Sequence, residues 1–205
     1  MEQAIVHDSD QLWRPPFPAA YSSLDVYLRA KDGSRPHHNI RMPDPATGLV
    51  SQPERTLLAM CAYEEARGEP DAGMRMVSMV VRNRTYRAPR YGVGWRGVLL
   101  MPKQFSCFNA GDPNTPAVFE LVRKLREYRQ AKGPAAALTT ELAIFMDAWE
   151  RACCYAYDAA EGRIVDLTDG ATHYCRADSH PPWRSSPRMT LRVSCGHHLF
   201  FHEEV

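Results

Sequence analysis

After Ser51, glycine and proline cut the chain into blocks of helical length, each with an apolar stripe. That punctuation constrains the fold more than any single motif. The first block opens at Ser51-Gln-Pro-Glu54, where Ser and Glu three apart predict a capping box and Pro53 a first-turn position; Gly68 and Pro70 stop it after about Arg67. Asp71 is placed to cap a second helix through Arg84, with Met76, Val77, Val80 and Val81 on one stripe, so the pair reads as an α-hairpin. A third helix is expected from Thr115-Pro116 to about Lys132, with Val118, Leu121, Val122, Leu125 and Tyr128 inward. A fourth, from about Thr140 to Ala160, places Leu142, Phe145, Met146, Trp149 and Cys153 on one face. Beyond Gly162 the period changes. Asp169-Gly170 predicts a turn, Met189, Leu191, Val193 and Cys195 alternate with polar residues as a half-buried strand does, and His198 to Phe201 follow as a hairpin partner. The class is therefore α+β and mainly helical, with a small C-terminal β-hairpin element.

The 205 residues suffice for one domain plus an arm. Residues 1–50 carry six prolines and no sustained periodicity, so they read as a proline-rich arm, with at most a short helix around Ser23 to Leu28, ahead of one domain at 51–205. Tyr91 to Pro102 looks irregular, and Gln104 to Cys107 falls in a loop. A composition of 44% hydrophobic and 24% charged residues excludes a disordered or fibrous chain. No apolar run approaches the roughly 18 residues of a membrane span, and the N-terminus lacks the basic start and apolar stretch of a secretory signal. The net charge of +1 gives nucleic-acid binding no support. Locally, eight Arg and three Lys between Arg82 and Lys132 face only Asp112, Glu120 and Glu127, a net of +8 that reads either as solvated helix faces or as a surface toward an anionic polymer. Six cysteines without a C-x-x-C pair read as buried thiols.

The densest chemistry lies at Tyr63-Glu-Glu-Ala-Arg-Gly-Glu69. At roughly 100° per residue from Leu57, Glu65 falls at about 80° and Glu64 at about 340°, so both border the apolar stripe and periodicity does not choose between them. A carboxyl group at such a border favours its protonated form, which suits a general acid; the plainer reading is a salt bridge to Arg67. His173, Cys175, His180, His197 and His198 match no common zinc-ligand spacing, so no metal is expected. Cys107 with His173 is a weaker candidate pair for a cysteine amidase or endopeptidase.

Glu65-Ala-Arg-Gly-Glu69-Pro-x-x-Gly, Val-Val-Arg-Asn-Arg at 80–84, Gln-Phe-Ser-Cys at 104–107, Asp-Gly-Ala-Thr-His-Tyr at 169–174, Trp183 and Gly-His-His-x-Phe at 196–200 occur in one order. Together they resemble the SleB-type cell wall hydrolases, the family of spore cortex-lytic enzymes and related bacterial and phage proteins. The resemblance covers roughly residues 54–202. It implies a lysozyme-like catalytic domain that cuts the β-1,4 bond between N-acetylmuramic acid and N-acetylglucosamine in peptidoglycan, without a cofactor. The family's catalytic glutamate maps onto Glu65. Gln104, Phe105, Ser106, Thr172, His173 and Tyr174 would line the substrate site, while Phe105, Trp183 and Phe200 also read as core aromatics, and Asn83 as a backbone partner at its helix end. Glu64 stands where the family usually has a small residue, and either raises the proton affinity of Glu65 or points to solvent. Met74 and Arg82 also depart from the usual pattern.

The implied partner is the peptidoglycan glycan strand. The resemblance favours a lytic transglycosylase, in which Glu65 protonates the leaving oxygen and then accepts the proton of the C6 hydroxyl; a hydrolytic muramidase or a non-enzymatic wall-binding subunit are the alternatives. With no secretory signal in view, a phage origin is expected, as an endolysin or as a virion component docked through residues 1–50.

Overall fold

The first helix, α1 (Glu54–Ala66), is apolar all the way round: Leu57, Leu58, Ala59, Met60, Cys61 and Ala62 are consecutive and all buried. A helix of that composition belongs in the middle of a domain. In the computed structural model, which describes residues 40–109, 111 and 117–204, α1 is packed against α2 (Asp71–Thr85), α3 (Gly94–Leu99), α4 (Ala117–Lys132) and α5 (Thr140–Ala160). Three strands follow, β1 (His173–Arg176), β2 (Met189–Cys195) and β3 (His198–Glu203), in the antiparallel order β1-β3-β2. The α+β, mainly helical class stands, with one strand more than the expected hairpin.

The predicted helix bounds hold closely, but the caps differ. Pro53 is the N-cap of α1 and no capping box forms; the Glu54 carboxylate instead accepts from the Arg96 backbone N at 3.3 Å. Pro70 occupies the N-cap of α2, leaving Asp71 in the first turn, where its carboxylate pairs with Arg151. Among the described N-caps of the α-helices, only that of α5 accepts through its side chain, Thr139 from Leu142 N. The segment read as irregular contains α3. Its glycines serve a close approach: a Cβ on Gly92 would lie 2.3 Å from the Gly97 carbonyl oxygen.

Residues 40–50 of the proline-rich stretch fold onto α1. Ile40 enters the core, and the buried Gln52 amide donates to the carbonyls of Asp44 and Gly48 at 2.8 Å each. The short helix expected near Ser23 to Leu28 lies outside the described residues. Part of the locally basic segment is paired or buried. Arg123 pairs with Glu120 and Glu127, Lys124 with Glu141, Arg126 with Asp44 and Arg90 with Glu203, while Arg84 is buried. Glu203, Glu141 and Asp44, from outside the segment, offset three of its charges.

In the sheet, Leu191 opposes Phe201 and Val193 opposes Phe200, so Arg192 is an extra residue in β2. This bulge breaks the two-residue period. Val193 is buried as expected, but Leu191 is 37% exposed.

Candidate active site

The C-terminal turn of α1, the loop at 103–109, β1 and the segment at 179–183 enclose a cleft of about 750 Å³. Helix periodicity left Glu64 and Glu65 equivalent; the packing of α4 against α1 separates them. Glu64 turns into the protein, its side chain 1% exposed, where it pairs with Arg67 and Oε1 accepts from Val118 N at 2.6 Å. Burial pushes its carboxyl up to about 7, against the pull of Arg67 and of that amide. Glu64 thus takes the salt bridge that the sequence offered either residue, and does not point to solvent.

Both glutamates border the cleft, but Glu65 is only half-buried and its carboxylate meets Ser106, another residue of the cleft lining. Ser106 Oγ and the Cys107 backbone N both donate to its Oε1 at 3.0 Å. The turn of 3-10 helix at Ser106–Phe108 makes this possible by directing the Cys107 amide back toward the end of α1. Glu69 lies one turn further on. Its Oε2 accepts from His197 N at 2.7 Å and its Oε1 lies 3.2 Å from His197 Nδ1, so both oxygens are engaged with the β2–β3 turn. Gly196 permits this approach, with φ at +55° and room for a Cβ denied by Glu69 Oε2 at 2.1 Å.

Arg84, to which the sequence assigned no role, joins the two banks. Its Nε donates to the Thr172 carbonyl at 2.6 Å and Nη1 to the Gln104 carbonyl at 3.2 Å, with the guanidinium 4.7 Å from the Phe105 ring centroid. An arginine ending an apolar stripe was the only sequence signal for it. Asn83, read as a backbone partner at its helix end, reaches across the fold. It donates to Asp166 Oδ2, Thr168 Oγ1 and the Ala171 carbonyl, fastening the turn that leads into β1.

Of the residues expected to bind substrate, Gln104, Ser106, His173 and Tyr174 line the cleft. Phe105 and Thr172 do not. Phe105 is sealed beneath Arg84, and Thr172 is fully buried with its Oγ1 accepting from Glu203 N. Burial, with help from Arg84, pushes His173 down to about 4, so it is neutral at ordinary pH. Phe200 is core, as one reading had it, but Trp183 is half-buried and stands on the cleft.

Cys107 is buried, and burial raises its thiol well above the usual range, so it is not the thiolate a cysteine nucleophile requires. Among the described residues, no three His, Cys, Asp or Glu side chains gather closely enough to hold a metal ion. No described helix is long and apolar enough to cross a membrane.

The site is thus one cleft-facing carboxylate with two donors on one oxygen, beside a second that is withdrawn and a third that is occupied. No curated protein matches the sequence. Among solved structures, the catalytic domain of the Bacillus cereus SleB protein is similar, at 21% identity and a TM-score of 0.44, over 80% of this chain and 96% of that one. The family described as Cell Wall Hydrolase matches residues 68–201, most of the chain and both banks of the cleft beyond α1. The chain belongs to that cell wall hydrolase family and is a peptidoglycan-degrading enzyme.

Proposed function

We propose that the protein cleaves the β-1,4 bond between N-acetylmuramic acid and N-acetylglucosamine, with Glu65 as general acid and base, and that it does so as a lytic transglycosylase. The observation that carries this reading is the separation of the two adjacent glutamates: Glu65 faces the cleft, held through Oε1, while Glu64 is buried against Arg67 and Val118. The family match begins after Glu65, so its role rests on this geometry and on the motif around it.

The chemistry follows from the donors. Ser106 Oγ and Cys107 N orient the carboxyl group through Oε1, leaving Oε2 to carry the proton to the glycosidic oxygen. Bond cleavage leaves positive charge at the muramic C1. The C6 hydroxyl of the same sugar then attacks C1 and returns its proton to Glu65, closing a 1,6-anhydro ring. A hydrolase would need a second group to activate water. Glu69, the next acid on the cleft, has both oxygens engaged by His197, which favours the single-carboxylate route.

Digestion of purified peptidoglycan, with the released fragments identified by mass spectrometry, tests the proposal. Anhydromuramic ends are expected, and Glu65→Gln should lower their release by about 10³-fold at unchanged thermal stability. Reducing muramic ends would replace the transglycosylase by a muramidase. Cleaved stem peptides, or an undiminished Glu65→Gln protein, would overturn the assignment.

A further inference from the structure

Trp183 differs from the other aromatic residues around the cleft. Phe105 and Phe200 are sealed, and Tyr174 is packed among Phe105, Phe200 and His198. Trp183 is half-buried and lines the cleft. Its contacts are at angles: His173 lies 4.9 Å away tilted by 50°, and Phe201 5.5 Å away at 77°, so neither ring covers it flat.

Its support is rigid. Trp183 sits in the 3-10 turn Pro182–Ser185, directly after Pro181 and Pro182, and the next residue pins the segment, Arg184 Nη1 donating to the Ala177 carbonyl at 3.1 Å. The ring is therefore held in place without being enclosed. The cleft, about 750 Å³, is larger than one sugar ring requires and in the range that takes a drug-sized ligand, which is about a disaccharide. A pyranose presents an apolar C–H face and a rim of hydroxyl and acetamido groups. A half-exposed indole on the cleft, with an apolar ring and an N–H donor, complements both.

We propose that Trp183, backed by His173, is a saccharide-binding platform that takes the C–H face of one pyranose of the glycan strand on the bank opposite Glu65, its indole N–H donating to a hydroxyl or acetamido oxygen. This rests on the glycosidase reading above. His173 suits the position because it carries no charge at ordinary pH beside a neutral sugar. Platform binding precedes the chemistry and contributes to holding the strand, so it acts on KM rather than on kcat.

Two measurements test the inference. In steady-state digestion of solubilised glycan strands, Trp183→Ala should raise KM about tenfold with kcat within about threefold of wild type, and Trp183→Phe should recover most of the affinity. Independently, tryptophan fluorescence of the Glu65→Gln protein should change on titration with an N-acetylglucosamine tetramer, and the change should vanish in Glu65→Gln/Trp183→Phe, which retains a ring against Phe201. An unchanged KM in Trp183→Ala, or a fluorescence response that persists without Trp183, overturns the platform. If wild type cuts stem peptides and not glycan, the glycosidase reading fails by its own products, while the titration still decides whether Trp183 binds sugar.

Discussion

The bank of the cleft that runs from Glu64 to Glu69 is the end of a helix sealed on every side, whereas the opposite bank, β1 with the segment after it, is a half-buried sheet edge secured by a few polar ties. On the helical bank, dense packing decides the fate of each carboxylate, burying Glu64 and leaving Glu65 in the cleft. On the sheet bank, position depends on specific bonds: Arg84 to Thr172, Asn83 to the turn at 166–171, and Glu69 to His197. The difference teaches that packing can withdraw one carboxylate and leave its neighbour on the cleft, while the opposite wall is placed by hydrogen bonds that span the sequence.

The sharpest way to break this contrast is to cut the tie between the sheet bank and the 103–109 loop. Arg84→Met keeps the apolar stem but leaves the Thr172 and Gln104 carbonyls without their donor, and should cost about 2–4 kcal/mol of stability by chemical denaturation. Activity should fall with it, because β1 and the 103–109 loop lose their common anchor; a variant as stable as the parent would show that Arg84 is not that anchor.

A second test concerns packing alone. Folding raises the Glu64 carboxyl from its ordinary 4.5 to about 7, so its contribution is fully present below about 4.5 and is lost as pH rises through about 7. Glu64→Gln keeps an oxygen for the Val118 amide and has no charge to bury. Between pH 4 and pH 8 the stability difference should therefore move toward the variant by about 3 kcal/mol, read from denaturant midpoints. Parallel pH profiles for the two proteins would refute the burial argument. The glycan-cleaving activity should survive this substitution, in contrast to Glu65→Gln.

The smallest effect belongs to the outer face of the sheet. Because the bulge at Arg192 turns Leu191 toward solvent, Leu191→Thr should change stability by less than about 0.5 kcal/mol, whereas the same change at a sealed strand position would cost several times more. A large loss at Leu191 would mean that the bulge does not form in solution.

Much of the helical half was readable in advance. The four long helices lie within a few residues of their Gly and Pro boundaries because apolar periodicity and helix breakers are local signals. The caps were misread at Ser51 and Asp71 because a proline directly before each helix occupies the N-cap and frees the acid for a partner elsewhere. Short α3 was missed because its glycines, read as irregularity, serve a backbone contact between Gly92 and Gly97 that no local pattern reveals. In the site, Gln104, Ser106, His173 and Tyr174 reached the cleft; Arg84 and Glu69 were missed as its ties, and Trp183 was read as core.

The sequence by itself determined the α+β class, the helix boundaries and the family, since periodicity, punctuation and ordered motifs are properties of neighbouring residues. Only the tertiary structure decided which glutamate side chain is withdrawn from the cleft, which aromatic rings are sealed, and which charges of the basic middle are paired. Each of these depends on what a distant segment brings: the Val118 amide to Glu64, Arg84 over Phe105, Asp44 to Arg126. Burial and charge pairing are set by neighbours in space, and for this protein those neighbours lie tens of residues apart in the chain.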